Sequence, residues 1–257
     1  MRLALHAEWT KMRTVAGPRW LLLGTIALTV ALSAAVTEVT CDAAGCGDDT
    51  TKLSLTGVDL GQALVAILAV HVITDEYSAG TIRTTLAATP GRITVLTAKA
   101  VTLTGVVVAA GTIAVLGSLM AGRFILPSRS LTSVGGYPAL SLADGPTLRA
   151  TVGSILYLAL IALLSLGIAT VVRNAATSIG IVLGLLYLFP IIAQTIGNPH
   201  WQRLLQRIGP MTAGLSIQAT TNLNNLPTTP WTGLGILAAW AAAALLAGAL
   251  LLHRRDA

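Results

Sequence analysis

The chain has 257 residues, of which 54% are apolar and only 10% are charged, and its mean hydropathy is +0.78. A soluble domain of ordinary composition has about 25% charged residues, so this composition excludes a soluble globular fold and indicates a polytopic membrane protein. The net charge of +6 does not require nucleic acid as a partner, because anionic lipid headgroups are sufficient.

The first 19 residues precede the first apolar run and combine basic residues with apolar residues at helical spacing. Leu5, Trp9 and Met12 recur about once per turn, and Gly17 and Pro18 then interrupt the pattern. This pattern predicts an amphipathic helix on the inner membrane surface over residues 1–19. The alternative is an ordinary juxtamembrane stub.

Six apolar runs are long enough to cross a bilayer, which takes roughly 20 residues of α-helix. We predict that each is helical, because a backbone in lipid must satisfy its own hydrogen bonds and the runs lack the alternation of barrel strands. The predicted fold is therefore an all-α polytopic membrane protein in which residues 1–257 form a single transmembrane domain. The predicted spans are residues 20–37, 53–74, 100–122, 150–172, 175–197 and 231–252.

The distribution of Lys and Arg predicts that both termini face the cytoplasm. With that orientation, ten of the sixteen Lys and Arg residues and four of the ten acids fall on the inner side, so the whole net charge of +6 lies there. The charged segment before the first span is long for a signal peptide, so we predict an uncleaved first span.

Two cysteines, Cys41 and Cys46, lie in the first outer loop within the sequence CDAAGC. The exported side of a membrane is oxidising, so we predict a disulfide between them, with two free thiols as the alternative. No metal site is predicted, because the nearby aspartates form only a weak ligand pattern.

The fifth span contains two features that break a uniform helix. Pro190 removes a backbone donor and predicts a kink. Gly180 and Gly184 form a GxxxG pattern, which allows close approach of helix backbones and predicts a dimer interface. The outer loop that follows, residues 198–230, contains HWQRLLQRI, whose apolar and polar residues separate onto two faces. We predict short outer helices there.

The sequence DEYSAGTIRTTLAATPGR, residues 75–92, forms a polar cytoplasmic loop between the second and third spans. We predict that Ser78 caps a helix that begins there and runs to about residue 88. Asp75 and Glu76 would precede this helix, where negative charge suits its N-terminus.

The same predicted helix has a surface suited to docking. Ile82 and Leu86 lie one turn apart and form an apolar ridge, while Gly80 and Thr81 keep the first turn slim. Such a helix suits a groove on another protein. The alternative is a plain solvated linker.

Residues 76–92 resemble the cytoplasmic segment of ABC-2 type exporter permeases, in which the pattern E(Y)…GT…(R)…L…P…R forms the coupling helix that touches the ATPase subunit. AEWTKMRT, residues 7–14, resembles the start of that family's interfacial helix, and the C-terminal HRRDA resembles actinobacterial members. The resemblance covers essentially the whole chain. The residues that it places in ATPase coupling are Glu76, Tyr77, Gly80, Thr81, Ile82, Arg83 and Leu86.

The resemblance implies the permease subunit of an ATP-driven exporter in the bacterial cytoplasmic membrane, which moves an amphipathic or lipophilic antibiotic, peptide or lipid outward. Its expected partners are two ABC ATPase subunits, a second permease copy or a paralogue, and membrane lipids. No GxxxxGK[ST] motif occurs in this chain, so ATP and Mg²⁺ are expected on the ATPase. The permease itself is expected to be no enzyme and to bind no cofactor, metal or nucleic acid.

Two other functions fit a six-span chain. An ATP-independent secondary transporter or channel usually carries an acid near mid-membrane, whereas Asp59 and His71 are predicted near the two ends of the second span. An intramembrane enzyme needs a Ser and a His at the same depth, whereas Ser118 and His71 are predicted at opposite ends of the membrane.

Overall fold

The computed structural model describes residues 2–40, 49–81, 91–128 and 144–254, and these ranges are mostly helical and contain no β-strand. Among them, six helical segments are long and apolar enough to cross a membrane. The all-α polytopic prediction is therefore confirmed. We call these segments spans 1 to 6: α2 (Ala16–Thr40), α4 (Val58–Ser78), α5 (Arg92–Ser128), α6 (Gly145–Val172), the interrupted helix Ala175–Thr195, and α11 (Pro230–Arg254).

Span 5 changes from α-helix to π-helix just before Pro190, where the sequence predicts a kink. It consists of α7 (Ala175–Leu183), a π-helical segment (Gly184–Leu188) and α8 (Phe189–Thr195). Proline has no N–H to donate to the preceding turn, and a π segment is one way in which a helix accommodates the missing hydrogen bond.

The shorter helices lie before span 1, before span 2 and between spans 5 and 6. Helices are thus present in the N-terminal segment and in the loop between spans 5 and 6, where the sequence predicts them. They are α1 (Arg2–Thr14), α3 (Thr50–Ser54), α9 (Pro199–Ile208) and α10 (Pro210–Leu215), followed by 3₁₀ turns at Ser216–Gln218 and Leu223–Asn225.

Five of the six spans begin at a residue other than the predicted one. Span 2 begins at Val58 rather than at residue 53, because Thr50–Ser54 form the separate helix α3, and span 4 begins at Gly145 rather than at residue 150. Span 1 begins at Ala16, so Gly17 and Pro18 lie in its first turn, where proline is tolerated because the N–H has no partner in any case. Span 3 begins at Arg92 rather than at residue 100. Its first two turns are amphipathic, and the buried charge of Lys99 is paired within the protein, so polarity does not end the helix there.

Span 4 is the centre of the bundle. Of its most apolar 18-residue window, 61% is buried, compared with 22% for spans 1 and 6 and 17% for span 5. Span 4 packs against spans 2, 3, 5 and 6, and Leu158, Ile161 and Leu166 on it are fully buried. The peripheral spans therefore present most of their apolar surface to lipid or to partners.

Contacts between junctions show that successive spans run in alternating directions. At one end, the guanidinium carbon of Arg173, after span 4, lies 5.2 Å from the ring centre of Tyr77 in span 2, and α1 packs on span 3. At the opposite end, Arg149 donates to the carbonyl oxygen of Ala219 at 2.6 Å, and the Asp49 carboxylate accepts from the hydroxyl of Thr220 at 2.7 Å. We call these the α1 end and the distal end.

The predicted cytoplasmic location of the α1 end stays a prediction. The predicted disulfide between Cys41 and Cys46 lies outside the described residues.

Spans 4 and 6 are in close backbone contact at Gly167. A Cβ atom at this position would lie 2.6 Å from the carbonyl carbon of Ala244 and 2.7 Å from the nitrogen of Leu245. Both neighbours are backbone atoms, so no side-chain rotation can make room. The absence of a side chain at Gly167 therefore permits this contact between the two spans.

We expect Gly167→Ala to lower the thermal stability of the detergent-purified protein, by about 1–3 kcal/mol, because an added carbon in a tight interface forces the backbones apart. The matched control is Gly105→Ala on span 3, where an added Cβ meets no atom within 4 Å. That control should be as stable as the parent or slightly more stable, because alanine favours helix. Equal melting temperatures for the two variants would show that the contact between spans 4 and 6 does not require a glycine at position 167.

Candidate functional site

Four charged side chains from three helices meet at the α1 end, and we call them the ionic cluster. Glu8 and Lys11 lie on α1, Glu76 lies in the last turn of span 2, and Lys99 lies near the start of span 3. The Lys99 Nζ atom is 3.0 Å from Glu8 Oε2 and 2.7 Å from Glu76 Oε1. The Lys11 Nζ atom is 3.1 Å from Glu8 Oε1 and 2.6 Å from Glu76 Oε1.

Lys99 is the buried centre of the cluster. Its side chain is 1% exposed, and the two glutamate side chains are each 9% exposed. The Lys99 ammonium also donates to the carbonyl oxygen of Val72 at 3.1 Å, so each of its three N–H donors has an acceptor. Burying a charge is costly unless it is paired and hydrogen-bonded, and this arrangement meets both conditions.

The local sequence explains how the cluster forms. Glu8 and Lys11 are three residues apart, so they lie on one face of α1. Met12, on the following turn, enters the apolar core. The apolar contact of Met12 and the charge contacts therefore hold the same helix against spans 2 and 3.

The environment of Lys11 keeps it charged. Burial by itself lowers the pKa of Lys11, but the hydrogen bond to Glu76 and the charges of Glu8 and Glu76 outweigh burial, so the pKa lies above its ordinary value of 10.5. A raised lysine pKa contributes stability that is fully present below the unfolded-state pKa and is lost as the pH rises through the folded-state pKa. The contribution of Lys11 is therefore intact at neutral pH.

The structure corrects the predicted start of the coupling helix. Ser78 is the last residue of span 2, and its hydroxyl donates to the carbonyl oxygen of Asp75 at 3.0 Å. Gly80 follows with φ of +67°, a left-handed conformation that favours glycine and commonly ends helices. The prediction that Ser78 caps a new helix, with Asp75 and Glu76 before it, is wrong, because these residues form the C-terminal turn of span 2.

Four of the predicted coupling residues are grouped at this helix end. Glu76 belongs to the ionic cluster, and the ring of Tyr77 lies beneath Arg173. The Thr81 hydroxyl donates to the carbonyl oxygen of Glu76 at 3.4 Å, and Gly80 lies between them. The other three, Ile82, Arg83 and Leu86, lie outside the described residues.

The predicted dimer residues lie on an open face of span 5. A Cβ atom added at Gly180 or at Gly184 would meet nothing within 4 Å. Ile181, Leu188 and Ile192 beside them are 46%, 54% and 49% exposed. The GxxxG pattern is thus not used for packing among the described residues of this chain.

Sequence reasoning missed the role of Lys99, which it placed in a loop before span 3. The available signal was an ionisable residue joined directly to a long apolar run, since such residues within membrane helices are usually paired. Within the described ranges, no three His, Cys, Asp or Glu side chains converge to form a metal site.

We expect Lys99→Met to destabilise the purified protein by about 1.5–3 kcal/mol, because each of the two buried carboxylates loses a charged hydrogen-bond donor and keeps only Lys11 as a shared cation. Combining it with Glu76→Gln should recover part of the loss. The control is Lys52→Met, which removes an exposed lysine and should leave the melting temperature nearly unchanged. If Lys99→Met melted at the same temperature as Lys52→Met, the cluster would not stabilise the fold.

Residues 57–257 match the family model described as ABC-2 family transporter protein. No match was found among curated proteins. The matched region contains spans 2 to 6 and two members of the ionic cluster, Glu76 and Lys99, and the six apolar helices agree with a multi-pass membrane protein. The chain therefore belongs to the ABC-2 transporter family and is a membrane permease of an ABC transporter, a transport subunit rather than a catalytic one.

Proposed function

We propose that this permease belongs to an ATP-driven exporter of the bacterial cytoplasmic membrane and that residues 76–90 couple it to a separate ATPase subunit. The ionic cluster is the observation that carries this proposal. Glu76 and Lys99 are 23 positions apart and form an ion pair, so the two ends of the segment between them are held close together. Because the ionic cluster joins α1, span 2 and span 3, a movement of this segment would displace all three elements.

In the proposed cycle, two ATPase subunits bind below two permease copies or a permease and a paralogue. Both termini of the permease face the cytoplasm, so the α1 end meets the ATPases. ATP and Mg²⁺ bind to the ATPases, whose closure moves the coupling segments. Spans 2 and 3 follow because the ionic cluster joins them, and an amphipathic or lipophilic substrate leaves on the distal side.

The structure refines the role proposed for Glu76. Its side chain is 9% exposed and is already paired with Lys11 and Lys99. We therefore propose that Glu76 anchors the coupling segment and that Ile82, Arg83 and Leu86 make the contact with the ATPase.

We expect Leu86→Asp to abolish co-purification of the ATPase subunit, or to weaken its binding at least about tenfold, because a charge in an apolar contact is left uncompensated. The matched control, Leu86→Met, keeps an apolar side chain and should bind normally. The measurements are pull-down and ATPase activity of the purified complex. Normal ATPase binding and transport by Leu86→Asp would show that the segment is only a linker.

Two further variants test the anchoring of the coupling segment separately from its contact with the ATPase. Gly80→Leu places a branched side chain at φ of +67°, which strains the end of span 2. Glu76→Ala removes the shared acceptor of two lysines. Both should reduce coupled ATP hydrolysis and transport while the chain still inserts in the membrane, since neither change lies in the lipid-facing part of a span.

We propose that the second copy or paralogue packs on span 5 through Gly180 and Gly184. Two observations support this. Only 17% of the most apolar window of span 5 is buried within the chain, and both glycines face open space. Small residues in such a stripe let a partner helix approach closely.

We expect Gly184→Leu to weaken association of the two permease copies, because its bulk holds the partner backbone away. Gly105→Leu is the matched control, since it too faces open space but lies on span 3. The dimer fraction in lipid nanodiscs, measured by subunit counting, should fall only for Gly184→Leu. An unchanged dimer with full transport would place the interface on another span.

A further inference from the structure

A cavity of about 450 Å³ opens at the distal end, between the start of span 2, the end of span 5 and the short helices that follow it. This volume lies within the range of small-molecule sites. Its polar lining includes the carboxylate of Asp59 and the carboxamides of Gln194, Gln206 and Gln218, and its apolar lining includes Met211 and Leu215.

Asp59 is the unsatisfied group in this cavity. Its Oδ1 atom is buried and has no hydrogen-bond partner among the described residues. Lys52 also lines the cavity, but its side chain and that of Asp59 form no ion pair within the described part of the chain. A buried carboxylate oxygen without a partner is costly in a folded protein, and the residue that carries this oxygen lines the cavity.

The surrounding hydroxyls and amides hold the backbone of Asp59 but leave its carboxylate open. The Tyr187 hydroxyl donates to the carbonyl oxygen of Asp59 at 2.5 Å, and the amide of Gln62 donates to the same oxygen at 2.9 Å. The Tyr157 hydroxyl donates in turn to the side-chain oxygen of Gln62. The first turn of span 2 is therefore fixed in place around an acid that has no donor of its own.

Apart from Asp59 and Lys52, the polar lining consists of uncharged carboxamide and hydroxyl side chains. The amide nitrogen of Gln218 donates to the hydroxyl of Ser154 at 3.1 Å, so the side-chain oxygen of Gln218 remains able to accept. One carboxylate and carboxamide oxygens match the three donors of a primary ammonium group. A single carboxylate is a poor site for a divalent cation, and an anion would meet the charge of Asp59.

We propose that this distal cavity binds the primary ammonium head of an amphipathic molecule, with the Asp59 carboxylate as the counterion and Met211 and Leu215 against the apolar stem. That this molecule is the exported substrate rests on the proposed function, whereas binding itself does not. The inference narrows the substrate class from amphipathic molecules in general to cationic ones.

The test uses the purified permease in phosphatidylcholine nanodiscs without any ATPase, titrated with dansylcadaverine, a fluorescent amphipath with one primary ammonium group. N-acetyl-dansylcadaverine, which lacks the charge, is the control probe. We expect saturable binding of the charged probe and at least about tenfold weaker binding of the acetylated one. Absence of saturable binding, or equal binding of the two probes, would overturn the proposal.

Three variants locate the binding. Asp59→Asn keeps the shape of the side chain and should weaken binding at least about tenfold. Asp144→Asn removes an exposed acid at the same end of the molecule, outside the lining of the cavity, and should change nothing. Lys52→Gln should tighten binding about two- to fivefold, because it removes an exposed like charge from the cavity edge.

The pattern across variants decides the outcome. Parent-like affinity in Asp59→Asn, or unchanged affinity in Lys52→Gln, would show that the probe binds elsewhere. If Asp59→Asn does not fold, the paired probes and Lys52→Gln still decide. If the permease binds the probe but captures no ATPase, the result supports the cavity as a binding site and counts against the export proposal. Failure of the binding site and failure of the export proposal can therefore be told apart.

Discussion

The arrangement of the α1 end depends on one ammonium group, that of Lys99. Its side chain is 1% exposed, and an unpaired charge buried to this extent would be prohibitively costly. The two glutamates that neutralise it come from different helices, so the charge cannot be satisfied unless α1, span 2 and span 3 are all in place. A single buried cation therefore fixes the relative positions of three elements.

The distal end is held together by weaker and more numerous interactions. Asp49 accepts from the backbone and hydroxyl groups of the loop after α10, and Arg149 donates to a carbonyl oxygen of the same loop. These bonds tie the short helices between spans 5 and 6 to the starts of spans 2 and 4. The two ends are thus held by different interactions. Buried ion pairs hold the α1 end, whereas hydrogen bonds beside an open cavity hold the distal end.

The sequence predicted what depends on composition and length, namely six apolar helices, the helices at the N-terminus and between spans 5 and 6, and the irregularity at Pro190. It placed the start of span 3 too late because polarity was taken as the end of the membrane helix, whereas Lys99 is neutralised by residues 23 and 91 positions away. Ser78 was assigned a cap because local pattern does not distinguish a helix start from the end of a longer helix. Partners distant in the sequence decide both cases.

Span 5 connects the two surfaces that we propose as binding sites, one for a second permease copy or paralogue and one for a ligand. The open glycine face begins at Gly180 in α7 and ends at Gly184, the first residue of the π segment, and α8 contributes Pro190 and Gln194 to the distal cavity. The π segment lies between α7 and α8, and Tyr187 within it bonds to the backbone of Asp59 in span 2. The π segment interrupts the regular α-helical hydrogen-bond ladder of span 5 at this point. Any rearrangement of a partner on the glycine face therefore acts on the same helix that forms the wall of the cavity beside Asp59.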